Sequence, residues 1–138
     1  MKVGFACGVF DLFHAGHVLM LEECKTACEY LIVAVNSTNS IDYTINPNKK
    51  KPVYNLAHRK YILESCKFVD EVITYDSEEE LEQILRTRKI DVRFLGEDYK
   101  GKPITAPDAV KEIIYNNRGH GLSTSYYRNL IENKKSEE

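Results

Sequence analysis

Apolar and polar positions along the chain fall into short blocks that alternate between two periods. Lys2 to Cys7 is a short apolar run closed by Gly8 and predicts a strand. From Ala15 to Glu29, Leu21, Cys24 and Cys28 form one apolar stripe while Glu22, Glu23, Lys25 and Glu29 lie mostly off it, which predicts a helix. Tyr30 to Asn36 (YLIVAVN) is a continuous β-branched run, the pattern of a parallel strand buried on both faces. Residues 37–53 are polar, with Pro47, Pro52 and a lysine triplet, and predict a loop. Leu56 to Cys66 reads as a helix and Glu71 to Tyr75 as a strand. Ser77, with Glu80 three residues on, predicts a capping box opening a helix that runs to Lys89. Asp91 to Leu95 and Lys111 to Tyr115 read as strands on either side of a loop from Gly96 to Pro107. Ser123 or Thr124 opens a last helix through Tyr127 and Leu130.

Alternating strands and helices predict an α/β, Rossmann-like three-layer fold with a five-stranded parallel sheet. The expected organisation is one domain over residues 1–132 and a polar, frayed C-terminal tail over 133–138. In such a fold ligands bind beyond the carboxyl ends of the strands. The segments after strand one and strand two, Gly96 to Tyr99, and Arg118 to Thr124 all follow strand ends and are expected to converge there.

The composition narrows the partners. The chain has 138 residues, 43% hydrophobic and 29% charged, with a net charge of −2, so its whole surface is no attractor for nucleic acid. No apolar run approaches the ~20 residues of a membrane span, and a start that runs straight into a strand predicts no signal peptide. The four cysteines, 7, 24, 28 and 66, form no C-x-x-C pair. Cys24 and Cys28 read as small buried hydrophobes, and a reduced, cytoplasmic protein is expected.

The candidate chemistry centres on Gly8-Val9-Phe10-Asp11-Leu12-Phe13-His14-Ala15-Gly16-His17. Two imidazoles with a glycine between them stand where a strand hands over to a helix, beside free backbone N–H groups and the positive end of the helix dipole. That combination suits phosphate. The other readings of His14 and His17 are a metal half-site or core histidines; the half-site lacks a third ligand at suitable spacing, since neither His58 nor His120 is placed to supply one. Lys49, Lys50 and Lys51 read as a solvated turn or, beside a phosphate site, as a flexible cationic arm. Arg59 lines the site or pairs with an acid. Arg118-Gly119-His120-Gly121-Leu122-Ser123-Thr124 puts a guanidinium and two glycines before a helix start, a second phosphate cradle or an ordinary capped turn. The Walker-type phosphate loop and the nucleophile elbow are both missing from the sequence.

These residues resemble the His-x-Gly-His nucleotidyltransferase superfamily, and within it the glycerol-3-phosphate cytidylyltransferases. GVFDLFHAGH is similar to G-T-F-D-x-x-H-x-G-H, with Val9 in place of Thr. His58-Arg59-Lys60 and Phe68 to Ile73 resemble H-R-K and Y-V-D-E-V-I. Gly96-Glu97-Asp98-Tyr99 is similar to G-D-D-W, and RGHGLSTS to R-T-E-G-I-S-T-T; Lys67 stands where the family has Arg. The resemblance implies transfer of CMP from CTP to a small phosphorylated alcohol, glycerol 3-phosphate first, with release of pyrophosphate. It implies His14, His17, Lys50 and Arg118 as catalytic groups. The nucleotide is expected to meet Gly8, Val9, Phe10, Asp11, Ala15, Gly16, Arg59, Gly96, Glu97, Asp98, Gly119, His120, Gly121, Leu122, Ser123, Thr124 and Ser125. Lys49 and Lys67 are expected at the acceptor. Mg²⁺ would bridge phosphate oxygens without dedicated protein ligands, and a homodimer is implied. The alternatives are a relative using ethanolamine phosphate, a sugar phosphate or ATP, and a non-catalytic nucleotide-binding module.

Overall fold

A computed structural model describes residues 1–45, 47, 50–117 and 119–137, with side chains described up to residue 134. Five strands, β1 (Val3–Gly8), β2 (Tyr30–Asn36), β3 (Glu71–Tyr75), β4 (Val92–Gly96) and β5 (Glu112–Asn116), form one parallel sheet in the order β3-β2-β1-β4-β5. Four α-helices, α1 (Ala15–Thr26), α2 (Leu56–Glu64), α3 (Glu78–Thr87) and α4 (Thr124–Glu137), complete it. The predicted three-layer α/β class is the observed one.

The central strands explain the order. Leu31, Val33 and Val35 of β2 pack with Ala6, Phe94, Leu21 of α1 and Leu63 of α2 on one face. Ile32 and Ala34 pack with Phe5, and with Leu81 and Leu85 of α3, on the other. Both alternating sets are apolar, so β2 is stable only between two helical layers. The chain reverses direction across the sheet between β1 and β4, which opens a crevice at their carboxyl ends.

Boundaries moved by a few residues, each with a local cause. Helix α1 ends at Thr26, with Ala27 as its C-cap, because the Glu29 and Tyr30 N–H groups both bond the Lys2 carbonyl just before β1. Cys28 thus leaves the helix, yet it stays buried beside Cys24. Ser77 caps α3 by accepting from the Glu80 N–H, as predicted, but the Glu80 carboxylate reaches the Asp76 N–H one residue before the cap. Helix α4 continues to Glu137, past residue 133 where a frayed tail was expected; the polar residues there are ordinary helix formers.

Candidate active site

The turn after β1 is tightly constrained. Phe10 and Leu12 both adopt left-handed backbone (φ 53° and 51°), a conformation that costs free energy in non-glycine residues and persists only where neighbours enforce it. The enforcing residue lies between them. Asp11 is 4% exposed, and its two carboxylate oxygens accept from the Tyr54 N–H (2.9 Å), the Val53 N–H (2.7 Å) and Arg128 Nη2 (2.8 Å). Its carbonyl accepts from the Thr124 hydroxyl. Desolvation pushes the Asp11 carboxyl up, but the Tyr54 and Val53 N–H groups and Arg128 outweigh it and hold the group below the usual carboxylate range. One ionised side chain therefore ties β1, the segment before α2, and α4 together.

Arg59 has a parallel role. It is 2% exposed, and its guanidinium donates to the carbonyls of Tyr54, Val9, Asn36 and Ser37. The expectation that Arg59 meets nucleotide or pairs with an acid is corrected: it fixes the backbone at the ends of β1 and β2. Asp11 likewise touches protein donors on both oxygens, which makes it a loop organiser.

Helix α1 begins on an unusual cap. His14 Nδ1 accepts from the Gly16 N–H at 3.0 Å, and His17 Nδ1 accepts from the His14 N–H at 3.1 Å. This is a capping box built from two imidazoles where serine and glutamate are usual. With Nδ1 committed as acceptor, a neutral ring carries its proton on Nε2. His14 Nε2 is buried and has no partner. Burial pushes the His14 imidazole below its ordinary range, and His120 adds to that, so the ring is neutral at pH 7. The rings of His14 and His17 lie 3.9 Å apart, with Phe13 stacked on His17 and Tyr127 of α4 against His14. Gly16 sits against the His14 ring and Leu122: a Cβ there would come within 2.8 Å of His14 Cε1 and 2.9 Å of Leu122 Cβ.

A cavity of about 830 Å³ opens beside this turn. Its wall takes Gly8, Val9, Phe10 and Asp11 from the turn, Thr124 and Ser125 from α4, and Gly96 from β4, all sequence-predicted positions. Lys50 also lines it, exposed, with its ammonium 3.8 Å from Glu132 of α4. Such an exposed pair is weak and leaves the lysine free to swing. His14, His17, Ala15 and Gly16 stand just behind the turn and do not form the wall themselves. Glu97 and Asp98 open a short 3₁₀ turn at the rim, with Tyr99 on the wall in their place.

The segment before α4 is only partly as expected. Ser123 caps the helix by accepting from the Tyr126 N–H, and the Leu122 N–H bonds His120 Nδ1. Gly121 has a left-handed φ of 70°, and the Gly119 N–H bonds Asn117. The Thr124 hydroxyl is engaged by Asp11, so it does not face a ligand as a donor; the sequence expectation is corrected there. Lys67 is a second correction. It precedes β3, at the amino ends of the strands and away from the crevice, with its ammonium over Phe68. Lys49 and Arg118 lie outside the described residues. Among the wall residues that the sequence reading did not single out are Arg128, Arg93 and Asn116, the last 1% exposed with its amide oxygen unpartnered.

Residues 5–130 match the family model described as cytidylyltransferase-like. The chain is 38% identical to the glycerol-3-phosphate cytidylyltransferase of Bacillus subtilis (strain 168) over 131 residues, 95% of this chain and 98% of that protein. It is 33% identical to the bifunctional protein HldE of Campylobacter concisus over 137 residues, 99% of this chain but 28% of that larger protein. Among solved structures, the lipopolysaccharide core biosynthesis protein from Thermoplasma volcanium GSS1 superposes with a TM-score of 0.59 at 30% identity, covering 71% of this chain and 76% of that one.

Proposed function

The chain belongs to the cytidylyltransferase-like family, and from that premise we propose that it transfers CMP from CTP to glycerol 3-phosphate, giving CDP-glycerol and pyrophosphate. The full-length likeness to a glycerol-3-phosphate cytidylyltransferase supports the substrates. The observation that carries the mechanism is His14: its Nδ1 is pinned by the Gly16 N–H, so a buried, unpartnered N–H is left at Nε2 where the strand meets the helix.

The nucleophile is a phosphate oxygen of the acceptor, mostly ionised at pH 7 because a phosphate monoester has its second pKa near ~6. It forms a bond to the α-phosphorus while the bond to the pyrophosphate oxygen breaks. No protein base is required. The protein positions the two reactants and stabilises the charge that grows on the departing phosphates. His14 and His17 donate to phosphate oxygens, with the free N–H groups at the start of α1. The start of α4, the Ser123 hydroxyl and Lys50 serve the distal phosphates, and the family resemblance implies the same role for Arg118. A Mg²⁺ ion would offset charge on the triphosphate; Asp11, whose two oxygens accept from protein donors, would not hold it, and among the described residues no group of three His, Cys, Asp or Glu is placed to do so. The family likeness also supports a homodimer working in the cytoplasm, and among the described residues no helix is long and apolar enough to cross a membrane.

The test is a pyrophosphate-release assay crossing CTP, UTP, ATP and GTP with glycerol 3-phosphate, ethanolamine phosphate and a sugar phosphate. CTP with glycerol 3-phosphate is expected to turn over fastest. Faster turnover with ATP refutes the nucleotide assignment. CTP binding with no release for any acceptor leaves a nucleotide-binding module instead.

A further inference from the structure

The cavity extends beyond the turn after β1, onto the α3 face of the sheet. Its wall there includes Cys7, Tyr75, Glu78, Arg93 and Thr105. Arg93 is a charged residue inside an apolar strand, between Val92 and Phe94. Its register opposite Phe5 turns it to the α3 face, where Phe5 packs with Leu81 and Leu85. It is 3% exposed. Nη1 donates to the Thr105 carbonyl at 2.6 Å, while Nε is buried with no partner.

A guanidinium has five N–H donors, and burying it short of acceptors is costly. The groups around it relieve that cost only in part, through the Cys7 thiol, a weak partner. Among the described residues no carboxylate pairs with Arg93. Burial pushes up both the Cys7 thiol and the Tyr75 phenol, so neither supplies an anion. Glu78 shares the wall, but its carboxylate is engaged by the Thr105 hydroxyl. The lobe therefore presents unsatisfied donors from Arg93 and remaining lone pairs on Glu78. A hydroxyl group, which gives one hydrogen and takes one, complements such a pair, and a vicinal diol does so twice.

We propose that Arg93, together with Glu78, selects the acceptor by binding its hydroxyl end. The guanidinium donates to hydroxyl oxygens, and the Glu78 carboxylate accepts a hydroxyl hydrogen. This rests on the cytidylyltransferase reading and adds which residues choose the alcohol.

The experiment compares glycerol 3-phosphate, propyl phosphate (the same carbon chain without hydroxyls) and 3-phosphoglycerate as acceptors with CTP. The wild-type protein is expected to favour glycerol 3-phosphate over propyl phosphate in kcat/KM by about tenfold to a hundredfold, the worth of one charge-assisted hydrogen bond. Arg93→Met is expected to bring that ratio near one by raising KM for glycerol 3-phosphate, while KM for CTP stays unchanged. A circular dichroism melt reports whether the variant folds. If it does not, Glu78→Gln, on an exposed part of the wall, gives the same readout through a smaller drop in the ratio. Equal use of propyl phosphate by the wild type, an unchanged ratio in the folded variants, or preference for 3-phosphoglycerate overturns the proposal. Transfer to both alcohol phosphates without discrimination sinks this inference alone; transfer to no acceptor sinks the proposed function and this inference with it.

Discussion

His14 serves two roles with one ring, and they can be separated. Its Nδ1 caps α1, and its Nε2, buried without a partner, is the donor assigned to phosphate in the proposed mechanism. Asparagine is a good N-cap but lacks the second donor at that reach. His14→Asn is therefore expected to keep the fold while kcat falls by about 10²–10³, the usual effect of losing one transition-state donor. The same variant changes the pH profile of stability. Burial, with His120, holds the folded imidazole below the 6.5 of an unperturbed ring. Between those values the unfolded chain binds a proton that the folded chain refuses, so stability is full above about pH 6.5 and drops as pH falls through that window. Thermal melts from pH 7.5 down to 5.5 should show a shallower decline for His14→Asn; identical slopes would remove His14 from the linkage. Asp11→Ala belongs to the same scale. It leaves Arg128 half-buried without its partner and two backbone N–H groups unmet. A loss of about 3–5 kcal/mol is expected in denaturant unfolding, as for other broken buried pairs. The histidines were legible because their spacing meets a strand–helix junction. Arg128 was not: a lone arginine on an amphipathic helix has no local signature, and its meaning comes from a carboxylate 117 residues earlier.

At the scale of elements, the hinge of the site is the packing of the start of α1 against the segment that leads into α4. Gly16 is the contact point, hemmed by the His14 ring and Leu122. Alanine there satisfies helix propensity and still harms the site, because its methyl displaces either the imidazole or residue 122. A misplacement of about 1 Å at a reacting centre costs about 10²-fold in rate. Gly16→Ala should thus lose activity by that order while far-ultraviolet circular dichroism remains that of the wild type; wild-type turnover would show that the two segments are free to part. Sequence pattern located β2 and β3 with the observed boundaries, because buried parallel strands are marked by what they contain. It ran past the end of α1, because that end is set by the Lys2 carbonyl just before β1 and not by any residue in the helix. Lys67 was misassigned for a related reason: nearness to a family motif says nothing about which end of a strand a side chain occupies.

Across the whole molecule the cavity wall is drawn from stretches that are remote in sequence, among them residues 6–11, 36–41, 50–52, 75–81, 93–105 and 124–129. The alternation of strands and helices predicted the layers and the crevice, but not which charges would be buried in it, since burial of Arg93 depends on α3 and on Thr105 arriving over β4. Asp11 and Arg59 hold these stretches together with hydrogen bonds to backbone, so the site exists only in the folded state. A ligand that binds there and not to the unfolded chain must raise stability by mass action. At 100 times its Kd, CTP with Mg²⁺ is expected to add about 2.7 kcal/mol, which for a domain of this size raises Tm by about 9 °C. ATP should shift it less, because a pocket that hydrogen-bonds a pyrimidine leaves polar groups unpaired against a purine. Chelating Mg²⁺ should shrink the CTP shift, since the triphosphate then enters with its charge less neutralised. Equal shifts with ATP and CTP would disprove base selection by the folded pocket, and no shift with CTP at any concentration would mean that the cavity beside the histidines does not hold the nucleotide.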